Sequence, residues 1–469
     1  MKQALSRKNL WDRTPPLVKA TLGRGLRIVP LKWLLGRSFR TTYEFVQAAQ
    51  WWSTEHGREY QLEQLRRVCS LAYLKSRYYR RAFDAIGFHP DALKTLEDLS
   101  VLPTIDRHTI QEHAEELCTK ALRDPCVDLC TTGGTGGAPL TFYMDCTRSA
   151  IEYAYLVASW ERAGYRLGMP MGVLRGRTVK LNRGKGFHYQ YDPVLNHHYY
   201  SSYHTTDTDM RRYLEHVSTL GPCFLHIYPS SVANWTRFVH RSGIDVPANI
   251  LGMIAESENI YADQRADIER TFGVRMFSDY GHSEKLVFAA ECEESTDYHV
   301  WPTYGYLELL DEEGNSVTTP GQRGEIVGTG FISTVMPFIR YRTGDHATYV
   351  GDRCEACGRE HIVLRDIRGH RTQEILIAAN GTVLPWTGLT ADGDAFIHVR
   401  QFQFYQDTPG RAVLRIVPAE GFSGKDHEQI REYYHHRLAG AIDFTMELTD
   451  SILLSPRGKA IYVDQRISQ

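Results

Sequence analysis

The chain has 469 residues, 42% of them hydrophobic and 23% charged, and a formal net charge of −2. One hydrophobic core rarely serves that length, so two domains, or three, are expected. The near-zero charge removes any bulk drive toward nucleic acid or an anionic membrane, and nine irregularly spaced cysteines argue against a secreted disulfide scaffold.

No run reaches the roughly 18 uncharged apolar residues of a membrane span. No apolar stretch after the basic start resembles a signal peptide. A reducing, cytoplasmic setting is therefore expected. The first forty residues are basic and interleaved with Leu, Ile and Trp. They could lie on a membrane surface or an assembly partner, or pack as an arm on their own domain.

From Thr42 to about Gly87 apolar residues recur at three- and four-residue steps, which predicts helices. TLEDLSVLPTIDRHTIQEHAEEL reads as a short linker into another helix. SAIEYAYLVASWERAG reads as a helix stopped at Gly164. MGVLR predicts a strand. FLHIYPSSVANWTRFVHRSG and ANILGMIAESENIYADQRADIERTFG each predict strand, loop and helix. VRMFSDYGHSE predicts a strand ending in a polar, aromatic loop. This recurrence predicts α/β layering. After Glu291 hairpins and short strands dominate, as in GYLELLDEEGN and GEIVGTGF, and the last hundred residues read as a small α+β domain.

Between the first helices and the first α/β unit lies TTGGTGGAPL. Its glycines let ligand atoms approach the backbone, and its threonines add hydroxyl donors. Thr131, Thr132, Gly133, Gly134, Thr135, Gly136 and Gly137 could therefore wrap phosphate oxygens, or could form a plain glycine-rich turn. The segment lacks the Lys-Ser/Thr end of a P-loop.

TTGGTGGAPL resembles the phosphate loop of the adenylate-forming superfamily, which includes acyl-CoA synthetases. DYGHSE at 279–284, YRTGD at 341–345 and SPRGKAIYVDQRI at 455–467 resemble three further blocks in that superfamily's order. LPTIDRHTI, GHRTQEILIAANGTVLP and FQFYQDTPGRAVLRIVP are similar to the phenylacetate-CoA ligase branch and its CapK-like capsular polysaccharide relatives. The resemblance runs from about Thr42 to the end. It implies a large N-terminal domain over 1–370, with layered α/β subdomains and a strand-rich subdomain, and a small mobile α+β lid over 371–469.

The resemblance also implies ATP and Mg²⁺. The glycine segment would cradle phosphates, Tyr280 with Gly281 would pack on adenine, and Asp345 would accept from ribose hydroxyls. Ser283 or Glu284 would help hold Mg²⁺, a hard cation that prefers oxygen ligands, with the role assigned to Glu284. Arg371 matches the family's arginine at the domain junction. Lys459 matches the lysine carried in by the small domain to steady the α-phosphate and carboxylate. Gln373 and Glu374 stand where the branch often has two acidic residues, which leaves the hinge undefined. FLHIYPS resembles the segment before the carboxylate pocket, which marks His204, His226 and Tyr228 as substrate-binding, with Glu258 as a further candidate.

Cys354 and Cys357 stand at C-x₂-C spacing, with Cys292 and His299 upstream. The C-x₂-C pair could be a redox couple or half of a zinc site. The four together make the usual closed tetrahedral set for a structural Zn²⁺, or are unrelated residues. Some relatives carry a similar arrangement. No G-x-S-x-G elbow anchors serine hydrolysis.

The expectation is an enzyme that activates a small-molecule carboxylate as an acyl-adenylate. It would release pyrophosphate and pass the acyl group to coenzyme A, an amine or a hydroxyl, with polysaccharide biosynthesis as one setting. A homodimer is compatible with the sequence. A nucleotidyl transferase and a non-catalytic assembly scaffold are the alternatives.

Overall fold

The computed structural model describes residues 29–131, 140–175, 179–202, 204, 206–258, 260, 262–369, 375–385, 389, 394–396, 398–418, 421–438, 440–453 and 462–467. The predicted helical start is three helices, Arg37–Ala49, Thr54–Lys75 and Arg77–Ala85. Ser53 caps the second, its Oγ accepting from His56 N at 3.2 Å. Leu65, Val68, Cys69 and Ala72 turn one stripe of that helix into a core shared with Tyr79, Phe83 and Ile110. Asp106 and Thr109 close a capping box on helix Arg107–Leu117.

The first basic residues, 1–28, lie outside the described residues. Helix Arg37–Ala49, just after them, packs on its own domain. Phe39 is buried with Ala154, Val157 and Trp160, and Tyr43 Oη donates to Glu161 Oε1 at 2.7 Å. Among the described residues no helix is long and apolar enough to cross a membrane.

Thirteen strands form one mixed sheet. Five of them run parallel, side by side in the order Met276–Gly281, Ile250–Ala255, Cys223–Ile227, Met171–Leu174 and His197–Tyr200. Every residue of Met171–Leu174 and Cys223–Ile227 is buried, as expected where helices cover both faces of a parallel sheet. Helix Arg148–Trp160 covers one face through Ala154, Val157 and Trp160. Helices Asp207–Ser218 and Pro229–Ser242 cover the other, where Leu225, Ile227, Met253 and Trp235 meet.

The strand-rich region after Glu291, read from sequence as its own subdomain, continues this same sheet. Phe288–Ala290 pairs antiparallel with Met276–Gly281, so the backbone hydrogen bonds of the parallel half carry directly into the antiparallel one. The DYG of DYGHSE is correspondingly the end of a strand, with the turn beginning at His282. Near the C-terminus a four-stranded sheet, in the order Asp443–Leu448, Arg411–Pro418, Val399–Thr408, Val463–Gln465, packs with helix Gly424–Leu438. Its core, built on Phe404, Leu414, Tyr434 and Tyr462, is separate from those of the large sheet. The architecture is a large α/β N-terminal domain and a smaller strand-rich C-terminal one.

The turn that joins the two halves of the sheet is wedged over glycines. A Cβ on Gly305 would lie 1.8 Å from the Leu286 carbonyl oxygen and 2.8 Å from that of Thr329. Gly328 and Gly330 meet Leu286 side-chain atoms at 2.9 and 2.7 Å on the same basis. No side chain fits at Gly305 without moving backbone. Gly305→Ala should cost about 2–3 kcal/mol, read as a lower urea midpoint at unchanged slope.

Candidate functional site

In open α/β sheets ligands bind beyond the carboxyl ends of the parallel strands. Here those ends lead into Arg175, Ser201, Tyr228, Glu256 and the DYGHSE turn. Side chains alternate across a strand, and the register aligns Val173 with His226, His226 with Ile254 and Ile254 with Phe277. Arg175, Glu256 and Asp279 each follow two positions later, so they share the face of His226 beneath helix Arg148–Trp160.

The contacts agree with that placement. Arg175 Nη1 lies 2.9 Å from Glu256 Oε2, and His226 Nε2 lies 2.8 Å from Glu256 Oε1. Arg175 also donates from Nη2 to Ser257 Oγ at 3.2 Å and stands over the Tyr228 ring at 5.3 Å. Ser257 holds φ at +67°, an uncommon backbone state for a non-glycine residue. Trp160 closes the cluster from the helix, 5.0 Å from the His226 ring, with Nε1 donating to Asp279 Oδ2 at 3.4 Å.

Burial pushes the Glu256 carboxyl up, but Arg175 and then His226 outweigh it and hold it at about 2. Burial holds His226 below its ordinary value despite Glu256, so the ring is neutral at pH 7, with Nε2 also 3.2 Å from Arg175 Nη1. Burial, and then the charge on Glu256, push Asp279 well above the carboxylate range, which keeps it protonated. Environment thus divides two neighbouring carboxyls into one anion and one neutral acid.

The second half of the site is the DYGHSE turn and the strand Tyr341–Gly351. Tyr280 Oη donates to Asp345 Oδ2 at 2.9 Å, joining two sequence blocks 65 residues apart. Asp345 is fixed from below: its N–H donates to Thr343 Oγ1 at 3.1 Å, and Thr343 donates to the Ile326 carbonyl at 2.6 Å. Gly344, at φ +76°, donates to Glu325 Oε1 at 3.0 Å. Lys285, at φ +57°, is ion-paired to Glu152. Glu284 is buried, and among the described residues no hydrogen bond or ion pair serves its carboxylate.

The four metal-ligand candidates also converge. Cys292, His299, Cys354 and Cys357 place their ligand atoms within 4.8 Å of one another. Pairing of Phe288–Ala290 with Tyr298–Val300, and of His299 with Val363, brings the segments together, with Cys354 and Cys357 in the turn before Val363. His299 Nδ1 lies 3.0 Å from the Asp297 carbonyl, which leaves Nε2 turned to Cys357 Sγ at 3.4 Å. That is the tautomer a metal ligand needs. Cys292 Sγ accepts from Ser295 N at 3.2 Å and Glu294 N at 3.4 Å.

Beside the cluster Arg162 is 7% exposed, stands 4.5 Å over Trp301, and has no partner for Nε or Nη2 among the described residues. Burial, then the Arg359 charge, bring it down to about 9. Three thiolates and a neutral imidazole on a dication carry one net negative charge, which complements this buried cation. The donor set fits a closed tetrahedral zinc site.

No family model matches the chain. It is 22% identical over 421 residues to protein CapK of Staphylococcus aureus, covering 87% of this chain and 91% of the relative. It is 29% identical over 299 residues to the phenylacetate-coenzyme A ligase of Pseudomonas putida, covering 62% and 66%. With that of Thermus thermophilus it shares 26% over 430 residues, covering 87% and 94%. Over most of its length the chain is thus similar to CapK and to phenylacetate-coenzyme A ligases. A crystal structure of 2-hydroxyisobutyryl-CoA ligase in complex with 2-HIB-AMP and CoA shares its fold, with a TM-score of 0.58 at 19% identity and coverage of 89% and 91%.

Against this site the sequence reading divides cleanly. Tyr280, Gly281, Ser283, Glu284 and Asp345 gather at one end of the sheet, and His226 and Tyr228 stand beside them at the neighbouring strand ends. His204 is further along the sheet, hydrogen-bonded through Nδ1 to Ser201 Oγ at 2.8 Å and stacked on His188 at 3.4 Å. Glu258 is half-buried in the turn, and the carboxylate of the cluster is Glu256, two positions earlier. Thr131 ends the strand Val127–Thr131, while residues 132–137, Arg371 and Lys459 lie outside the described residues.

Sequence reasoning missed Arg175, Glu256, Asp279 and Trp160. Its available signal was a charged residue closing each buried run, at the same strand parity in MGVLR, ILGMIAE and FSD.

Glu256→Ala should lower stability by about 3 kcal/mol, because it leaves Arg175 and His226 facing each other without their anion. A depressed carboxyl stabilises above its unfolded value of 4.5 and loses that contribution as pH falls toward about 2. The gap between wild type and Glu256→Ala, followed by urea unfolding, should therefore narrow over that window.

Proposed function

We propose that this chain is an ATP-dependent ligase that activates a carboxylic acid as an acyl-adenylate, releases pyrophosphate and transfers the acyl group to CoA. The Tyr280–Asp345 hydrogen bond carries the reading, because it joins two superfamily blocks at the carboxyl end of the parallel strands. Ligases acting on phenylacetate and CoA are among the relatives, and they support the same reaction class.

Tyr280 packs on adenine, Gly281 leaves room beside it, and Asp345 accepts from the ribose hydroxyls. The substrate carboxylate attacks the α-phosphorus and pyrophosphate leaves. The threonines and glycines of 131–137 donate to the phosphates. Mg²⁺ neutralises phosphate charge when bound, and the buried, unpartnered Glu284 carboxylate, with Ser283, is a hard-oxygen site of the right kind for it. Arg371 contacts ribose or phosphate, and Lys459 steadies the α-phosphate and carboxylate as the lid formed by 371–469 closes over 1–370 and excludes water.

The acyl group lies beneath Trp160, among His226, Tyr228 and the Arg175–Glu256 pair. The Cys292, His299, Cys354 and Cys357 centre holds a structural Zn²⁺. CapK among the relatives supports a setting in polysaccharide biosynthesis, with an amine or hydroxyl as a second acceptor class.

Carboxylate-dependent exchange of labelled pyrophosphate into ATP, over a panel of aryl, hydroxy, amino and uronic acids, tests the reading. At least one acid should support exchange, and a silent panel with intact, zinc-loaded protein overturns it. Lys459→Ala should slow adenylate formation on the order of 100-fold with ATP affinity nearly unchanged. Asp345→Ala should raise the KM for ATP about tenfold. Native mass spectrometry should find one zinc per chain, absent in Cys354→Ser, together with a lowered Tm.

A further inference from the structure

Strands Val127–Thr131 and Thr141–Asp145 form a two-stranded ribbon of their own, in register from Val127–Asp145 to Thr131–Thr141. One step beyond its base Cys126 stands opposite Cys146, and the Cys146 N–H donates to the Cys126 carbonyl at 2.9 Å. Directly opposed residues of antiparallel strands have Cα atoms about 4.5–5.5 Å apart, inside the roughly 4.4–6.8 Å that a disulfide spans. Both cysteines are exposed and both are free thiols. Burial, and then the neighbouring Cys126 thiol, raise the Cys146 thiol above its usual value.

The base of the ribbon is held on every side by other groups. Cys126 N–H donates to Asp124 Oδ1 at 2.8 Å. Lys120 Nζ and Thr334 N reach Asp145 at 2.9 and 2.6 Å, and Arg148 pairs with Asp128 at 2.5 Å. The backbone on both strands is therefore set without the thiols. Cys130, further along the ribbon, faces Phe142 and has no cysteine opposite.

We propose that Cys126 and Cys146 form a reversible disulfide modification site at the base of this ribbon, with hydrogen peroxide as oxidant. One thiolate sulfur attacks a peroxide oxygen, the O–O bond breaks, and a sulfenic acid and one water result. The second sulfur attacks the sulfenic sulfur, the S–S bond forms and a second water leaves. Two thiols are oxidised by two electrons and one peroxide is reduced to two waters. A dithiol reductant reverses the bond by exchange. The site is independent of the adenylation reading.

The test treats the reduced full-length protein with hydrogen peroxide, alkylates remaining thiols, digests with chymotrypsin and maps the peptides. The Cys126 and Cys146 peptides should be recovered joined and short of two hydrogens, and dithiothreitol should separate them. Amide exchange in Val127–Thr131 and Thr141–Asp145 should slow roughly tenfold in the oxidised form. Cys130→Ser should leave the cross-link intact, whereas Cys126→Ser and Cys146→Ser should each abolish it. Alkylation of both Cys126 and Cys146 after peroxide, a cross-link that requires Cys130, or a bridge formed only between chains overturns the proposal.

Discussion

Leu286 sits where a side chain on Gly305, Gly328 or Gly330 would otherwise be, and the rest of the site depends on that close approach. The turn it anchors is where the sheet passes from parallel to antiparallel. Because the strands on both sides are hydrogen-bonded without a break, the height of this turn sets where Tyr280, Glu284 and Asp345 stand relative to each other. It also sets the path of Phe288–Ala290, and through it the position of Cys292 and His299. A nucleotide-type end and a cysteine-rich knot are thus two consequences of one backbone packing constraint.

Charge burial in this protein falls into two kinds. Arg340 pairs with Glu308, both buried, and donates to the Ser100 carbonyl at 2.8 Å while holding φ at +52°. That group ties the helical entry segment to the sheet, and its geometry is satisfied on all sides. The Arg175, His226 and Glu256 group stands instead at the ends of strands, under an aromatic lid, with a protonated Asp279 beside it. Ionised groups gain little net stability from such burial. Their placement at the strand ends, where ligands of open sheets bind, points to function.

The Cys292, His299, Cys354 and Cys357 cluster lies close enough to the end of helix Arg148–Trp160 for its thiols to act on Arg162. Arg162 lies just past the end of helix Arg148–Trp160, two residues beyond Trp160, which touches His226 and Asp279. Arg359, on the knot's own loop, pairs with Glu293 at 2.6 Å and stands 4.3 Å over Trp51. Arg162 and Arg359 thus bring two guanidinium groups beside the four potential metal ligands.

Local order determined much of this protein. Periodicity at three and four residues was enough for the helices at Thr54–Lys75 and Arg77–Ala85, because a buried helical stripe writes its period directly into the chain. Alternating strand and helix announced the α/β layer, and four motif blocks in order carried the resemblance to the adenylate-forming superfamily. The spacing of Cys354 and Cys357 with Cys292 and His299 was readable for the same reason: ligand chemistry admits few residue types. Only the tertiary structure decided that the strand-rich region extends the central sheet, since one antiparallel pairing at Phe288–Ala290 leaves no mark in composition. It alone selected Glu256 over Glu258 and brought Arg175 and Asp279 to His226, because strand register, set by long-range hydrogen bonds, determines which side chains share a face.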